Sequence, residues 1–172
     1  GLLDAYQKIL HPMLVKIGVL WTTYELMPAQ EHFITSLIRQ KIFSAIESLP
    51  LPSNTTEKWV LFLPEGELHD LGLLIANFAL RLKGNHIVYL GENVPQKNLY
   101  EVAHNVIPTH YLTFVVKGQK KHILNEYLLK MKNELNDPTI YICCDLEMEG
   151  VFKLSKNQST ITSFKEFQGL IF

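Results

Sequence analysis

The chain is poor in cysteine, has no surplus of basic residues and contains no long apolar run. Its two cysteines are adjacent, at Cys143 and Cys144, which excludes a disulfide framework and favours a reducing, cytoplasmic setting. Sixteen Lys and Arg against 17 Asp and Glu give a net charge of −1, so the broad basic surface of a nucleic-acid-binding domain is excluded. No uncharged apolar stretch reaches about 18 residues, and no transmembrane helix is predicted. Walker, GxGxxG and nucleophile-elbow patterns are also absent.

The composition is that of a globular protein with a real core. Of the 172 residues, 47% are hydrophobic and 19% are charged, which suits about one domain. The first residue is Gly rather than Met, so we expect a piece of a longer protein. Residues 50–58 hold two prolines and a polar cluster, which predicts a linker. It would join a helical bundle segment at 1–49 to a second region at 59–172.

The segment before the linker has a helical period. Apolar residues recur at steps of three and four, which indicates one stripe on a helix. The stripe consists of Leu3, Tyr6, Leu10, Met13, Leu14, Ile17 and Leu20 or Trp21. Pro12 interrupts this stripe and predicts a kink or two shorter helices. A further helix is predicted from Pro28 to about Ser48. Helices over about 50 residues cannot bury a core alone, so they must pack on another part of the protein.

After the linker, strand and helix patterns alternate. Short β-branched and aromatic runs predict strands at 59–63, 86–90, 111–116, 140–144 and near 160–162. Helical patterns lie between and after them, near 71–83, 95–106, 119–134 and 163–170. This alternation predicts an α/β fold with a five-stranded parallel, Rossmann-like (flavodoxin-like) sheet. Ligands of such sheets bind beyond the carboxyl ends of the strands, so the loops there are the candidate site.

The loop after the first strand carries an imidazole between carboxylates. Glu67 lies two residues before His69 and is placed to accept one ring N–H, which would fix the tautomer and raise the basicity of the other nitrogen. Gly72, in the first turn of the next helix, lets a bulky group approach the backbone. The plainer alternative is a solvated histidine, with Asp70 acting only as a helix N-cap.

Residues 67–72, in the order acid-x-His-x-x-Gly, resemble the Asp-x-His-x-x-Gly motif of cobalamin-binding Rossmann-like domains. Residues 89–95 (Tyr-Leu-Gly-Glu-Asn-Val-Pro) extend the likeness to the light-responsive, cobalamin-dependent regulators of the MerR type. The resemblance implies that His69 is the lower axial ligand of cobalt. It also assigns to the cofactor site the neighbours Glu67, Asp70 and Gly72.

A second motif in the helical segment resembles the same regulators. Trp21 is followed ten residues later by Glu31 and His32, the spacing found in the helix bundle over the upper face of the corrin. The resemblance implies that Trp21 packs on the upper axial group and that Glu31 contacts its sugar. It makes His32 a possible alternative cobalt ligand. The alternative is a core tryptophan and a solvated helix face.

The sequence departs from that family at the ends of the third and fourth strands. Where the family has a small Ser-x-Leu or Ser-x-Thr motif, Thr113 supplies a hydroxyl but Phe114 and Val115 are bulky. Where the family has Gly-Gly beside the nucleotide tail of the cofactor, this chain has Cys143 and Cys144. Because adjacent strand residues point to opposite faces, one cysteine must face the cleft and narrow the tail tunnel.

The resemblance implies an effector-sensing region of a transcription regulator that binds adenosylcobalamin or methylcobalamin between helix bundle and Rossmann-like domain. DNA would be bound only through an N-terminal domain absent from this chain. No catalysis and no membrane contact are expected. The partly covered apolar stripes predict a homodimer or larger assembly. Two alternatives stay open: a degenerate, cofactor-free oligomerisation module, and a sensor of another small molecule in the same cleft.

Overall fold

The computed structural model describes residues 1–23, 27–115, 121–135, 138–148 and 150–171, apart from the side chains of residues 21, 22, 55 and 121–124. The helices are α1 Leu2–Ala5, α2 His11–Thr22, α3 Pro28–Glu47, α4 Leu71–Leu82, α5 Gln96–Val106, α6 Lys121–Glu134 and α7 Phe164–Ile171. The strands are β1 Asn54–Pro64, β2 Asn85–Val94, β3 His110–Val115, β4 Thr139–Cys144 and β5 Gln158–Ile161. A π-helical turn, Tyr6–Leu10, joins α1 to α2, and a 3-10 turn, Leu146–Met148, follows β4.

The five strands form one parallel sheet in the order β2-β1-β3-β4-β5. The predicted α/β fold class with a five-stranded parallel sheet is therefore confirmed. Each predicted strand and helix of this region is present among the described residues, with ends shifted by a few residues. Residue 116 of the predicted third strand and residues 119–120 of the predicted third helix lie outside the described residues.

The linker predicted at 50–58 is shorter than expected, because β1 begins at Asn54. Asn54 pairs with Asn85 at the start of β2, and its amide Nδ2 donates to Asn85 Oδ1 over 3.2 Å. Its Oδ1 accepts the backbone N–H of Thr56 over 3.1 Å. These contacts extend the strand into residues whose polar composition indicated a loop.

The interruption predicted at Pro12 takes the form of a π-helical turn rather than a gap. The backbone N–H of His11 donates to Tyr6 O, five residues earlier, so the helix widens by one residue just before the proline. Pro12 has no N–H to donate to the preceding turn, and a local widening accommodates that loss within one helical run. Residues 2–22 are consequently helical throughout.

Three apolar clusters hold the sheet and the helical segment together. One lies between the sheet and the α5–α6 side, with Tyr111 and Leu128 at its centre, and another lies on the α4–α7 side, around Leu61 and Leu112. A third joins α3 to α4 through the side chains of Ile42, Ile46, Leu74, Ile75 and Phe78. Burying one such side chain contributes about 1.5–3 kcal/mol, so this cluster fixes α3 against α4.

Within the part of the chain that the structure describes, no helix is long and apolar enough to cross a membrane.

Candidate functional site

A cavity of about 800 Å³ lies at the carboxyl ends of the strands, beneath the helical segment. Its upper wall comes from the π turn, α2 and α3, and its floor comes from the loops after β1, β4 and β5 and from the ends of β3 and β4. The side chains most relevant to its chemistry are Glu31, His32, Arg39, His69, Asp70, Phe114, Cys143 and Cys144. The site therefore lies where the strand order predicts a ligand for a doubly wound sheet.

The loop after β1 is held by hydrogen bonds to the end of β2. Gly66 adopts a φ of +87°, a conformation that favours glycine, and Glu67 N donates to Pro64 O over 2.9 Å. Asn93 fixes the turn from the neighbouring strand, because its Oδ1 accepts Gly66 N–H over 2.9 Å and its own N–H donates to Glu67 O over 3.1 Å. Glu67 is consequently anchored through its backbone.

The hydrogen bond expected between Glu67 and His69 is formed. Glu67 Oε1 lies 2.6 Å from His69 Nδ1 and also accepts the backbone N–H groups of Leu68 and His69, each over 3.0 Å. The carboxylate is only 5% exposed, whereas the His69 side chain is 74% exposed. This hydrogen bond raises the pKa of His69 above its usual value, against the opposing effect of partial burial. Nδ1 is thereby engaged, and Nε2 has no hydrogen-bond partner among the described residues.

Asp70 is the N-cap residue of α4, but its carboxylate makes no capping hydrogen bond. Instead it receives a forked ion pair from Arg39 on α3. Arg39 Nε donates to the two carboxylate oxygens over 3.1 and 3.0 Å, and Nη2 donates to Oδ1 over 2.7 Å. The Asp70 side chain is 8% exposed. This contact joins the helical segment to the residue next to His69.

Sequence reasoning missed Arg39, although a signal was present. Glu31, Thr35 and Arg39 follow one another at intervals of four residues, so they share one face of α3. All three line the cavity. Reading that face as a unit would have placed the arginine beside the predicted site.

The motif residues Glu31 and His32 on α3 border the cavity. Glu31 Oε2 lies 3.2 Å from His32 Nδ1, and the His32 side chain is 77% exposed. The Glu31 carboxylate is close enough to His69 to raise its pKa further. Trp21 belongs to α2, but its side chain lies outside the described residues.

The sequence predicts that a bulky group can approach the backbone at Gly72, but in the structure the side chain of Phe114 fills that space. A Cβ atom built on Gly72 would lie 2.7 Å from Cε1 and 3.0 Å from Cδ1 of Phe114, and such distances are closer than van der Waals contact. The ring at the end of β3 therefore rests against the first turn of α4.

The end of β4 presents its two cysteines to opposite faces, as strand geometry predicts. Cys143 is buried in the cluster on the α4–α7 side, and Cys144 packs against the cluster on the α5–α6 side. Both border the cavity. Burial raises the pKa of the Cys143 thiol far above its usual value, so the group is neutral at physiological pH. Tyr6 comes close to Cys143 from above, and burial raises the pKa of Tyr6 to about 12.

Two residues from the end of β3 differ in their relation to the cavity. Val115 borders it, whereas Thr113 does not and is 1% exposed. Phe114 points to the cavity side, so Thr113 and Val115 both face the opposite layer. Val115 still borders the cavity because it is the last residue of β3, whereas Thr113 lies further inside the strand. The Oγ1 atom of Thr113 has no hydrogen-bond partner among the described residues. The hydroxyl predicted to contact a cofactor thus lies under the sheet surface.

Within the described ranges, no three His, Cys, Asp or Glu side chains come together as a metal-binding cluster. His69 Nε2 is a single, oriented donor. A metal ion bound there would have to bring most of its ligands with it, because one imidazole does not fill a coordination shell.

Fold and cleft together define a Rossmann-like α/β domain with a helical cap. The chain is 34% identical over 97 residues to the HTH-type transcriptional repressor CarH of Myxococcus xanthus, which is 56% of this chain and 32% of that protein. It is 31% identical over 97 residues to the HTH-type transcriptional repressor CarA of the same organism, with the same coverage. The chain thus spans about a third of the length of these relatives. The resemblance to regulators of this kind is confirmed by these matches.

Two solved structures share the fold. The monomethylamine corrinoid protein of Methanosarcina barkeri matches with a TM-score of 0.62 and 16% identity, over 91% of this chain and 76% of that one. A chain of the methanol:cobalamin methyltransferase complex MtaBC from Methanosarcina barkeri matches with a TM-score of 0.50 and 15% identity, over 99% of this chain and 72% of that one. At such identities the likeness concerns the fold. No family model matches the chain.

Proposed function

We propose that this chain is the corrinoid-sensing region of a transcription regulator, and that it is not an enzyme. The observation that carries the proposal is the pair of Glu67 and His69. The buried Glu67 carboxylate lies 2.6 Å from Nδ1, so the neutral imidazole has one tautomer and one orientation. Its Nε2 then carries the lone pair that can bind a metal. Carboxylates that orient metal-bound histidines act in this way.

A single oriented imidazole suits a metal that is already held in a macrocycle. The described residues offer His69 alone as an oriented donor, with no cluster of metal ligands beside it. A bound corrinoid would bring its own nitrogen ligands for the cobalt, and His69 would hold it through Nε2. Similarity to the two repressors and the motif at residues 67–72 favour a corrinoid over other macrocycles.

His69 suits a corrinoid as its ligand, and the helical segment covers the other side of the cavity. Glu31 and His32 border the cavity on the wall opposite the strand ends, which supports the proposal that they meet the upper face of a bound corrinoid. His32 is the proposed alternative cobalt ligand. Trp21 is proposed to pack on the upper axial group, as the resemblance implies. When bound, the corrinoid would supply a cobalt ion whose upper ligand can be lost or exchanged.

Regulation would require partners beyond this chain. DNA contact is proposed to reside in another domain of the same protein, because this region carries a net charge of −1. Self-association is proposed through the outer face of the helical segment. The exposed apolar side chains of the helical segment include Ile9, Val15, Val19, Phe33, Leu37 and Phe43. Light scattering at tens of micromolar should report a dimer or larger species, and a strict monomer would contradict this proposal.

The test of the proposed function is binding of corrinoids in the dark. Purified protein is mixed with methylcobalamin, adenosylcobalamin, hydroxocobalamin or dicyanocobinamide, passed over a desalting column and examined by absorbance. We expect at least one corrinoid to elute with the protein, with a spectrum that changes in His69→Ala. His104→Ala serves as the control, because His104 is an exposed histidine on α5 that does not line the cavity.

Each outcome has a clear meaning. Retention that depends on His69 supports the proposal. Retention of no corrinoid would overturn it and favour a cofactor-free oligomerisation module, or a sensor of another small molecule. Retention with an unchanged spectrum in His69→Ala would remove His69 from the site.

A further inference from the structure

Gly72, Phe114 and Cys143 line the floor of the cavity that also contains His69. Gly72 lies three residues after His69, and the Phe114 ring rests against it. Cys143, 6% exposed, continues this floor from the next strand. Tyr6 and Phe164 pack together above it, with ring centroids 5.5 Å apart. This part of the cavity is therefore bordered by the aromatic rings of Tyr6, Phe114 and Phe164.

This lining matters for the lower half of a complete cobalamin. In that cofactor a benzimidazole nucleotide is tethered to the same face of the corrin that receives the lower axial ligand. If His69 takes the lower position, as the proposed function requires, the displaced base and its tether must lie on the protein side of the ring. That side is the region between Gly72, Phe114 and Cys143.

The contact between Gly72 and Phe114 makes that region narrow. A Cβ atom on Gly72 would lie 2.7 Å from the ring, so the Phe114 ring touches the first turn of α4 and no group fits between Gly72 and the ring. A base entering there would first have to displace the ring. The missing side chain of Gly72 leaves no free space for a ligand, because the Phe114 ring of β3 occupies that space.

We infer that Phe114 is a specificity residue of this cleft, an inference that rests on the proposed function. Phe114 makes the cleft select corrinoids without a lower nucleotide, the cobinamide class, over complete cobalamins. The imidazole of His69 serves both ligands equally. Phe114 penalises only the ligand that carries a tail. Overpacking of a filled site weakens binding by about ten- to a hundredfold, which is the selectivity assigned to this ring.

A corrinoid without a tail accepts an imidazole easily in any protein, because it has no base of its own to displace. The test therefore compares the same variants with both ligands, so that only the penalty from Phe114 changes. Dissociation constants for hydroxocobalamin and for aquocyanocobinamide are measured by absorbance titration in wild type, Phe114→Ala and Phe114→Leu. We expect both substitutions to tighten hydroxocobalamin by about tenfold or more and to leave cobinamide within about threefold. Phe33→Ala is the matched control, because Phe33 is 65% exposed on α3.

The cobinamide titration also reports whether each variant is folded, since that ligand needs the same His69. If the ratio of the two dissociation constants is unchanged in both Phe114 variants, the inference is wrong while the proposed function stands. Equal and tight binding of both ligands to wild type would also overturn the inference alone. Binding of neither ligand to wild type would overturn the proposed function, and the inference with it.

Discussion

The packing of Phe114 on Gly72 predicts how substitution at Gly72 changes stability. In Gly72→Ala the new methyl group meets the ring at 2.7 Å, so the ring must move. Such overpacking typically costs about 1–3 kcal/mol. Replacing glycine in a helix also returns up to about 1 kcal/mol of conformational free energy. The balance predicts a free energy of unfolding lowered by about 1 kcal/mol, or a Tm lower by about 2–4 °C for a domain of this size.

A second helical glycine provides the control. Gly18 lies within α2, and a Cβ atom built there has no neighbour within 4 Å. Gly18→Ala should therefore gain the higher helix propensity of alanine without a steric clash, and should raise the Tm by up to about 2–4 °C. The difference between the two variants isolates the clash, at about 1–3 kcal/mol.

The assay is urea unfolding followed by circular dichroism, with thermal unfolding as a second measure. In a Phe114→Ala background, Gly72→Ala should no longer lower stability relative to that background. The double-mutant cycle then gives the interaction between the two positions directly. The reasoning fails if Gly72→Ala stabilises the wild type as much as Gly18→Ala does.

Three further predictions concern the polar and thiol groups of the cavity. Arg39→Ala should lower the free energy of unfolding by about 1.5–3 kcal/mol, because it leaves the buried Asp70 carboxylate without its charged donor; unchanged urea unfolding would contradict this. His69 should titrate above its usual pKa in NMR, and Glu67→Gln should lower that pKa; the stabilisation from this pair is complete below about pH 6.5 and is lost as the pH rises through the raised value. Cys143 should resist iodoacetamide at pH 8 until the protein is unfolded, and rapid alkylation of the native protein would refute its burial.

The sequence alone determined the features that depend on neighbouring residues. Periods of two and of three to four predicted the strands and helices, because burial on one side of an element repeats with its geometry. The contact of Glu67 with His69 could also be predicted from the sequence, since a two-residue separation in a loop brings the carboxylate to the ring without contacts from distant residues. The opposite orientation of Cys143 and Cys144 follows from strand alternation for the same reason.

The tertiary structure alone decided which distant side chains meet. Arg39 and Asp70 are 31 residues apart, and their pairing depends on the angle at which α3 crosses α4, which no local pattern encodes. The strand order places β3 beside β1, and only then does Phe114 reach Gly72. Asn54 became part of β1 because β2 offers it a partner, although its own surroundings indicated a loop. Local periodicity fixes which face of an element is buried, whereas the identity of the group buried against it depends on how the elements pack.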